Sequence, residues 1–324
     1  MKRQTSLSSI SERIKRGPIW SATPTPLDEG RRLDRRSTTR MVEHHIDLDC
    51  CGLFLGGTCG EGPWLHPDDF NEFVQIVVSE ADKRMVIAAQ VSDNSALRML
   101  RNIDSAAECG ADLAVVASPY VFMNETDVRL LALYQETIEK SCLPIVFYDR
   151  GHHAAISVSN EILEEIYGME NVIFVKDSSG DVNRRELALK ARRERPELVL
   201  ANGDEFKAVE YFQAGYDAAM FGGSILIARY AAKIYEACLG NRLEEAIEIE
   251  RKMQHVLYSV YGGESISCWL TGLKECLVKL GIFQTNRSFL DYPLTVECQE
   301  AMNEVLNLER EWLFTGSNVL TPQK

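Results

Sequence analysis

Eight short, apolar, β-rich runs, each followed by a longer stretch of helical pattern, constrain this chain more than any other feature. The runs are Ile19–Ala22, Gly52–Gly56, Met85–Val91, Leu113–Ala117, Pro144–Tyr148, Val172–Val175, Leu198–Ala201 and Ala218–Phe221. Their starts lie 33, 33, 28, 31, 28, 26 and 20 residues apart, about the length of one strand–helix unit. Near-continuous apolar runs such as LAVVA and MVIAAQV fit parallel strands covered on both faces. Eight such units can close into a (β/α)8 TIM barrel, which is the expected α/β architecture. An open doubly wound sheet is the alternative, because a strand count does not by itself prove closure.

The intervening segments support this reading. Leu130, Leu131, Leu133, Tyr134 and Ile138 fall close to helical spacing within 124–142. A helix over 95–109 opens after Asp93-Asn94, read as caps, and stops before Gly110. Pro67-Asp68-Asp69 suits a helix start, with carboxylates at the positive end of the dipole. After the eighth unit the texture changes: Arg242–Val260, Ser265–Leu280 and Thr295–Trp312 predict three helices with no strand between them. The expected domains are therefore a polar, extended N-terminal arm over 1–16, a barrel over 17–240 and a C-terminal helical region over 241–324.

Composition narrows the function classes. A net charge of −13, with 48 acidic against 35 basic residues, leaves no basic footprint for nucleic acid. No run of about 18 apolar residues predicts a membrane span. The first residues, MKRQTSLSSISERIKRG, lack the apolar core of a signal peptide. The nine cysteines (50, 51, 59, 109, 142, 238, 268, 276 and 298) form no C-x-x-C pair and no disulfide or zinc framework. A cytoplasmic protein is the simplest expectation.

In a barrel of this kind the site is built where the strands end. The second run ends in Gly56-Gly57-Thr58-Cys59-Gly60-Glu61-Gly62. Glycines around a hydroxyl and a thiol let backbone N–H groups approach a carboxylate, although a merely flexible loop has the same composition. The fifth run ends at Tyr148, either a proton relay or an amphipathic residue closing the core. The sixth ends at Lys176. An ammonium at the end of an apolar strand is expensive to bury, so its pKa should fall and free an amine to attack a ketone. The competing reading is a lysine that snorkels to solvent or pairs with Asp177. Together, an amine, a phenol and a carboxylate pocket are the parts that Schiff-base chemistry on a 2-keto acid requires. Arg184-Arg185 and Arg192-Arg193 read as the solvated face of the sixth helix, and neither His44-His45 nor His152-His153 reads as a metal site.

Five motifs carry a family resemblance: Ala22-Thr23-Pro24-Thr25-Pro26, Gly57-Thr58-Cys59-Gly60-Glu61, Tyr148, Lys176-Asp177-Ser178-Ser179-Gly180 and Asn202-Gly203-Asp204. In order and spacing the chain resembles the dihydrodipicolinate synthase / N-acetylneuraminate lyase family over nearly all of residues 17–285. The resemblance implies that Lys176 forms an imine with pyruvate or a related 2-keto acid and that Tyr148 shuttles the protons. It implies that Thr58 and the N–H groups of Thr58 and Cys59 hold the carboxylate, and that Gly203 walls the pocket. It further implies a lyase or aldolase that makes or breaks a C–C bond, or dehydrates a keto sugar acid. No metal or organic cofactor beyond the lysine imine would be needed, and the assembly would be a homo-oligomer, a tetramer or a dimer.

Departures from the family pattern touch the second-substrate side. Cys59 stands where a second hydroxyl is usual, and a thiol is a weaker donor. Pro119-Tyr120 is followed by Val121, not a second tyrosine. After Tyr148 the chain runs Asp149-Arg150-Gly151-His152-His153 in place of Asn-x-Pro and a downstream arginine, so Arg150 is the candidate for a displaced positive charge. These departures weigh against lysine-biosynthetic synthase activity. The rival readings are a metal-dependent barrel lyase, which a chelator would inhibit, and a non-catalytic 2-keto-acid sensor.

Overall fold

A computed structural model describes residues 7–123 and 126–313. Residues 1–6 of the expected arm, 314–324 of the expected C-terminal region and 124–125 at the start of the expected fifth-unit helix lie outside the described residues. Eight parallel strands close on themselves in chain order, β1 pairing with both β2 and β8. They are β1 (Ile19–Ser21), β2 (Gly52–Leu55), β3 (Val86–Gln90), β4 (Leu113–Ala117), β5 (Ile145–Asp149), β6 (Val172–Asp177), β7 (Val199–Asn202) and β8 (Ala218–Phe221). The barrel expected from the spacing is thus the fold, and the open sheet is not.

Alternation along the strands separates two apolar clusters. Trp20, Phe54, Val86, Val115, Val146, Phe174, Ala201 and Met220 fill the barrel. Leu53, Ile87, Val116, Phe147, Val175 and Leu200 face the surrounding helices. Inside, Trp20 meets Phe174 at 5.0 Å and Phe54 meets Tyr148 edge-on at 5.7 Å between ring centroids, spacings at which aromatic pairs are favourable.

The helices between the strands are α2 (Arg35–Asp47), α3 (Pro67–Ala81), α4 (Ala96–Glu108), α5 (Asp127–Lys140), α6 (Asn160–Gly168), α7 (Val182–Glu194) and α8 (Ala208–Ala214), with α9 (Ser224–Leu239) after β8. Their starts are written locally: Asp34, Ser95, Thr126, Ser159 and Asp181 each cap a first turn with a side-chain oxygen. The cap of α4 is Ser95 itself. Asp93 instead pairs with Arg98 at 2.7 Å, and Asn94 accepts from the N–H groups of Tyr120 and Val121. α10 (Leu243–Tyr261) packs on α9, α11 (Trp269–Lys279) follows, and α12 (Val296–Leu308) packs on α10 ahead of a last turn, α13 (Arg310–Leu313). The second of these helices starts later than Ser265 because Ile266 takes a positive φ of 46°, which a right-handed helix cannot include.

One expectation is corrected at the N-terminus. Leu7–Ile14 is a helix, α1, not an extended arm. Ile10 and Ile14, four residues apart on one face, are buried with Trp20, Cys51 and Val86, while Arg13 pairs with Asp112 and donates to the Met85 carbonyl at 3.0 Å. A closed barrel exposes an apolar base, and α1 covers it.

Candidate active site

The loop after β2 turns back tightly on itself. Gly56 has φ +69, and a Cβ there would lie 2.5 Å from the Phe70 ring, so glycine is required. Thr25 of the motif after β1 donates to the Gly60 carbonyl at 2.6 Å. Glu61, in a left-handed conformation and fully buried, accepts from Ser288 Oγ at 2.6 Å and from the Phe289 N–H at 2.5 Å and forms an ion pair with Lys274. Lys274 is also fully buried and donates to the Arg287 carbonyl at 2.8 Å. A residue three places after Thr58 is thereby tied to α11 and the segment that follows it.

β5 and β6 pair in register, so Tyr148 stands directly opposite Lys176. The Lys176 ammonium nitrogen lies 4.5 Å from the Tyr148 ring centroid and 5.1 Å from that of Phe54, and the side chain is only 4% exposed. Burial lowers the Lys176 pKa below the ordinary 10.5; Tyr148, Cys59 and Glu205 counteract this in part, and the Arg150 charge adds to it. Burial pushes the Tyr148 phenol up, but Lys176, Arg150 and hydrogen bonds with Thr58 and Ser178 outweigh it, leaving the phenol below its ordinary 10.0. Asp177 does not pair with Lys176. Its carboxylate turns away to accept from Ser179 N–H and Oγ at 2.8 and 2.6 Å and from Tyr216 OH at 2.8 Å.

The remaining expected residues converge on the same mouth. A Cβ at Gly203 would fall 1.9 Å from Ser178 Oγ and 2.8 Å from Lys176 Cε, so only glycine leaves the lysine its place. Cys59 is buried, its sulfur 3.8 Å from the Gly222 carbonyl, and burial raises its thiol well above the usual range, which keeps it protonated. Arg150, half-buried at the end of β5, contributes through its charge to the lowered pKa values of Tyr148, Lys176 and His153 and partly offsets the burial that raises Tyr120. The structure therefore brings together Lys176, Tyr148, Thr58, Cys59, Gly203 and Arg150.

Two further residues stand at the mouth. Ser178 lies inside the Lys176–Gly180 motif and reaches the Tyr148 hydroxyl. Glu205 follows the Asn202–Asp204 motif; its carboxyl accepts from Gly223 N–H at 2.7 Å and Tyr261 OH at 2.8 Å, and burial raises its pKa. The sequence signal for Ser178 is membership of a motif, and for Glu205 it is adjacency to one.

Neither histidine pair forms a metal group. His152 and His153 occupy a short 3-10 turn, their rings 3.9 Å apart. His44 bonds the Ile225 carbonyl at 2.8 Å, and His45 bonds the Met41 carbonyl and Ser21 Oγ at 2.7 and 2.9 Å. Among the described residues, no three His, Cys, Asp or Glu side chains are grouped to hold a metal ion. Burial lowers the pKa values of His44 and His45 from 6.5 to about 4 and about 3. Below 6.5 the unfolded chain takes up protons that the folded one refuses, so both groups should withdraw stability as pH falls. Thermal melts from about pH 7.5 to about pH 5 should show a falling midpoint, with a shallower fall in His45→Gln; parallel profiles for the two proteins would contradict this.

A closed barrel with an amine and a phenol apposed at its mouth is the architecture of an aldolase-type, Schiff-base-forming lyase. The model of the dihydrodipicolinate synthetase family matches residues 15–308, and the chain belongs to that family. It is 24% identical over 290 residues to 4-hydroxy-tetrahydrodipicolinate synthase of Bartonella bacilliformis, covering 88% of this chain and 95% of that protein. It is 26% identical over 273 residues to N-acetylneuraminate lyase 2 of Escherichia coli O6:H1, covering 82% and 85%. Among solved structures, dihydrodipicolinate synthase from Thermotoga maritima superposes with a TM-score of 0.81 at 20% identity, over 91% of this chain and 98% of that one. The Acinetobacter baumannii enzyme complexed with pyruvate gives 0.80 at 21% identity, over 90% and 98%. Among the described residues, no helix is long and apolar enough to cross a membrane.

Proposed function

We propose that Lys176 is the imine-forming residue and that its partner is pyruvate or a closely related 2-keto acid. The observation that carries this is the burial of the Lys176 amine against Tyr148 at the mouth, with a pKa lowered by burial. A neutral amine attacks the keto carbon, water leaves, and the protonated imine then draws electrons from a neighbouring bond to give an enamine. Tyr148, hydrogen-bonded to Thr58 and Ser178, moves the protons of imine formation and of the bond that is made or broken. Thr58 and the N–H groups of Thr58 and Cys59 hold the substrate carboxylate, and Gly203 keeps the wall beside Lys176 open. Arg150 binds a negative or polar group on the second reactant. The chemistry needs no cofactor beyond the lysine imine.

The same reading includes a homo-oligomer, for which Val121 and Met123, 57% and 80% exposed beside the mouth, offer apolar surface. It places the protein among lyases acting on keto acids other than the lysine-biosynthetic pair, because Val121 and Asp149-Arg150 replace that branch's second tyrosine and its arginine frame. Borohydride reduction with pyruvate, followed by peptide mass mapping, should give a stable adduct on Lys176. No adduct with pyruvate or with any of a panel of 2-keto acids would overturn the proposal and favour the sensor reading.

A further inference from the structure

The residues one step beyond Tyr148 and Lys176 form a second pair. Asp149 stands opposite Asp177 in the β5–β6 ladder, just as Tyr148 stands opposite Lys176. Because side chains alternate along a strand, the first pair faces the barrel mouth and the second faces the helices. Asp149 and Asp177 are 3% and 1% exposed, so two carboxylates sit side by side in a dry layer. Like charges so placed repel, and each must be held.

A guanidinium reaches Asp149, while Asp177 is held by Ser179 and Tyr216. Arg184 of α7, 9% exposed, donates to Asp149 Oδ1 at 2.6 Å and, with its other nitrogen, to the Val158 carbonyl. This overturns the reading of Arg184 as part of a solvated helix face; Arg185 and Arg192 instead pair with Glu210 and Asp217. Asp149 Oδ1 also accepts from the Gly151 N–H at 2.9 Å, and burial and the charge of the same carboxyl raise the pKa of the Tyr167 phenol of α6. The ladder continues past the catalytic pair: Ser178 N–H donates to the Asp149 carbonyl at 2.8 Å, and Gly203 N–H to the Asp177 carbonyl at 2.6 Å. The end of β5 is thus clamped from behind by α7, and from the side by β6. Without the Asp149 carboxylate, the backbone at the end of β5 would keep its ladder bonds but lose its tie to α7 just before the 3-10 segment at Gly151–His153.

We infer that Asp149, held by Arg184, is a positioning residue that sets the direction of the Tyr148 hydroxyl toward Lys176 and the bound keto acid. Reacting groups must be held to about 0.5 Å and about 10–20° to work, and this is the contact from outside the barrel that acts on the residue adjoining the phenol. The inference rests on the Schiff-base reading above, and its test needs no second substrate. Enamine formation exchanges the methyl protons of pyruvate for deuterium in heavy water, which proton NMR follows.

For the full chain, Asp149→Ala should lower the saturated exchange rate by about 100-fold, the cost of a misplacement of about 1 Å. Half-saturation by pyruvate should move less than about threefold, because binding is shared by both states. Asp149→Asn, which keeps the acceptor oxygen for Gly151 and Arg184, should recover most of the rate. Arg184→Gln provides a second route to the same defect should Asp149→Ala fail to fold, and in the double variant the loss should not exceed the larger single loss. Wild-type exchange in Asp149→Ala, or a loss matched by the fall in folded protein and not recovered by Asp149→Asn, overturns the positioning role. A wild-type chain that neither exchanges nor traps pyruvate overturns the Schiff-base reading instead.

Discussion

Lys176→Ala should abolish borohydride trapping of pyruvate and lower methyl-proton exchange by about 10⁶-fold, the scale seen when a covalent nucleophile is removed. No neighbour can substitute for it. A guanidinium such as that of Arg150 is not an imine-forming amine, and Lys274 is committed to Glu61 and the Arg287 carbonyl. Tyr148→Phe should behave differently, because it removes the relay and leaves the amine. Adducts should still form, more slowly, while exchange falls by about 10² to 10⁴-fold, the usual scale of a positioned acid–base group. Loss of the lysine should lower binding of the keto acid itself, whereas loss of the phenol should lower turnover. Trapping in wild type should rise with pH through a pKa below the ordinary lysine value of 10.5, because burial disfavours the ammonium. Residual exchange in Lys176→Ala comparable to that of Tyr148→Phe would show that the amine is not the nucleophile.

The second large effect is expected far from the reacting amine. Lys274→Met should destabilise the protein by about 3–5 kcal/mol, because it leaves the Glu61 carboxylate buried without its counter-charge. At a few degrees per kcal/mol for a chain of this size, the melting midpoint should drop by about 10 °C. The consequence should extend to the site, since Glu61 ends the turn that carries Thr58 and Cys59. Half-saturation by pyruvate should rise, while trapping at saturating pyruvate still labels Lys176. Replacing both partners, Glu61→Gln with Lys274→Met, should cost less than the sum of the single changes, because no unpaired charge is then left inside. Additive losses in melting midpoint would mean that the two side chains are stabilised by separate contacts.

Much of this was legible in the chain. The period of the eight runs predicted each strand to within a residue or two, because strand and helix patterns are short-range and the caps lie beside the helices they start. The positions of Lys176, Tyr148 and the Gly-rich loop at the barrel mouth were legible for a related reason: each breaks the local pattern at the end of an apolar run, where the strands of a barrel open.

What the sequence did not settle were the partnerships. Arg184, in a run of basic residues, has no local mark separating it from Arg185, yet one is buried against Asp149 and the other pairs with Glu210. Ile10 and Ile14 in a polar, Ser-rich segment have no visible destination until a barrel base exists to receive them. Glu61 and Lys274 are 213 residues apart, and neither signals the other. Pattern and spacing along this chain determined the elements, their order and the chemistry available at the strand ends. Only closure of the barrel decided which charges are buried together, because such a pair is worth its desolvation only when distant segments arrive with matching geometry.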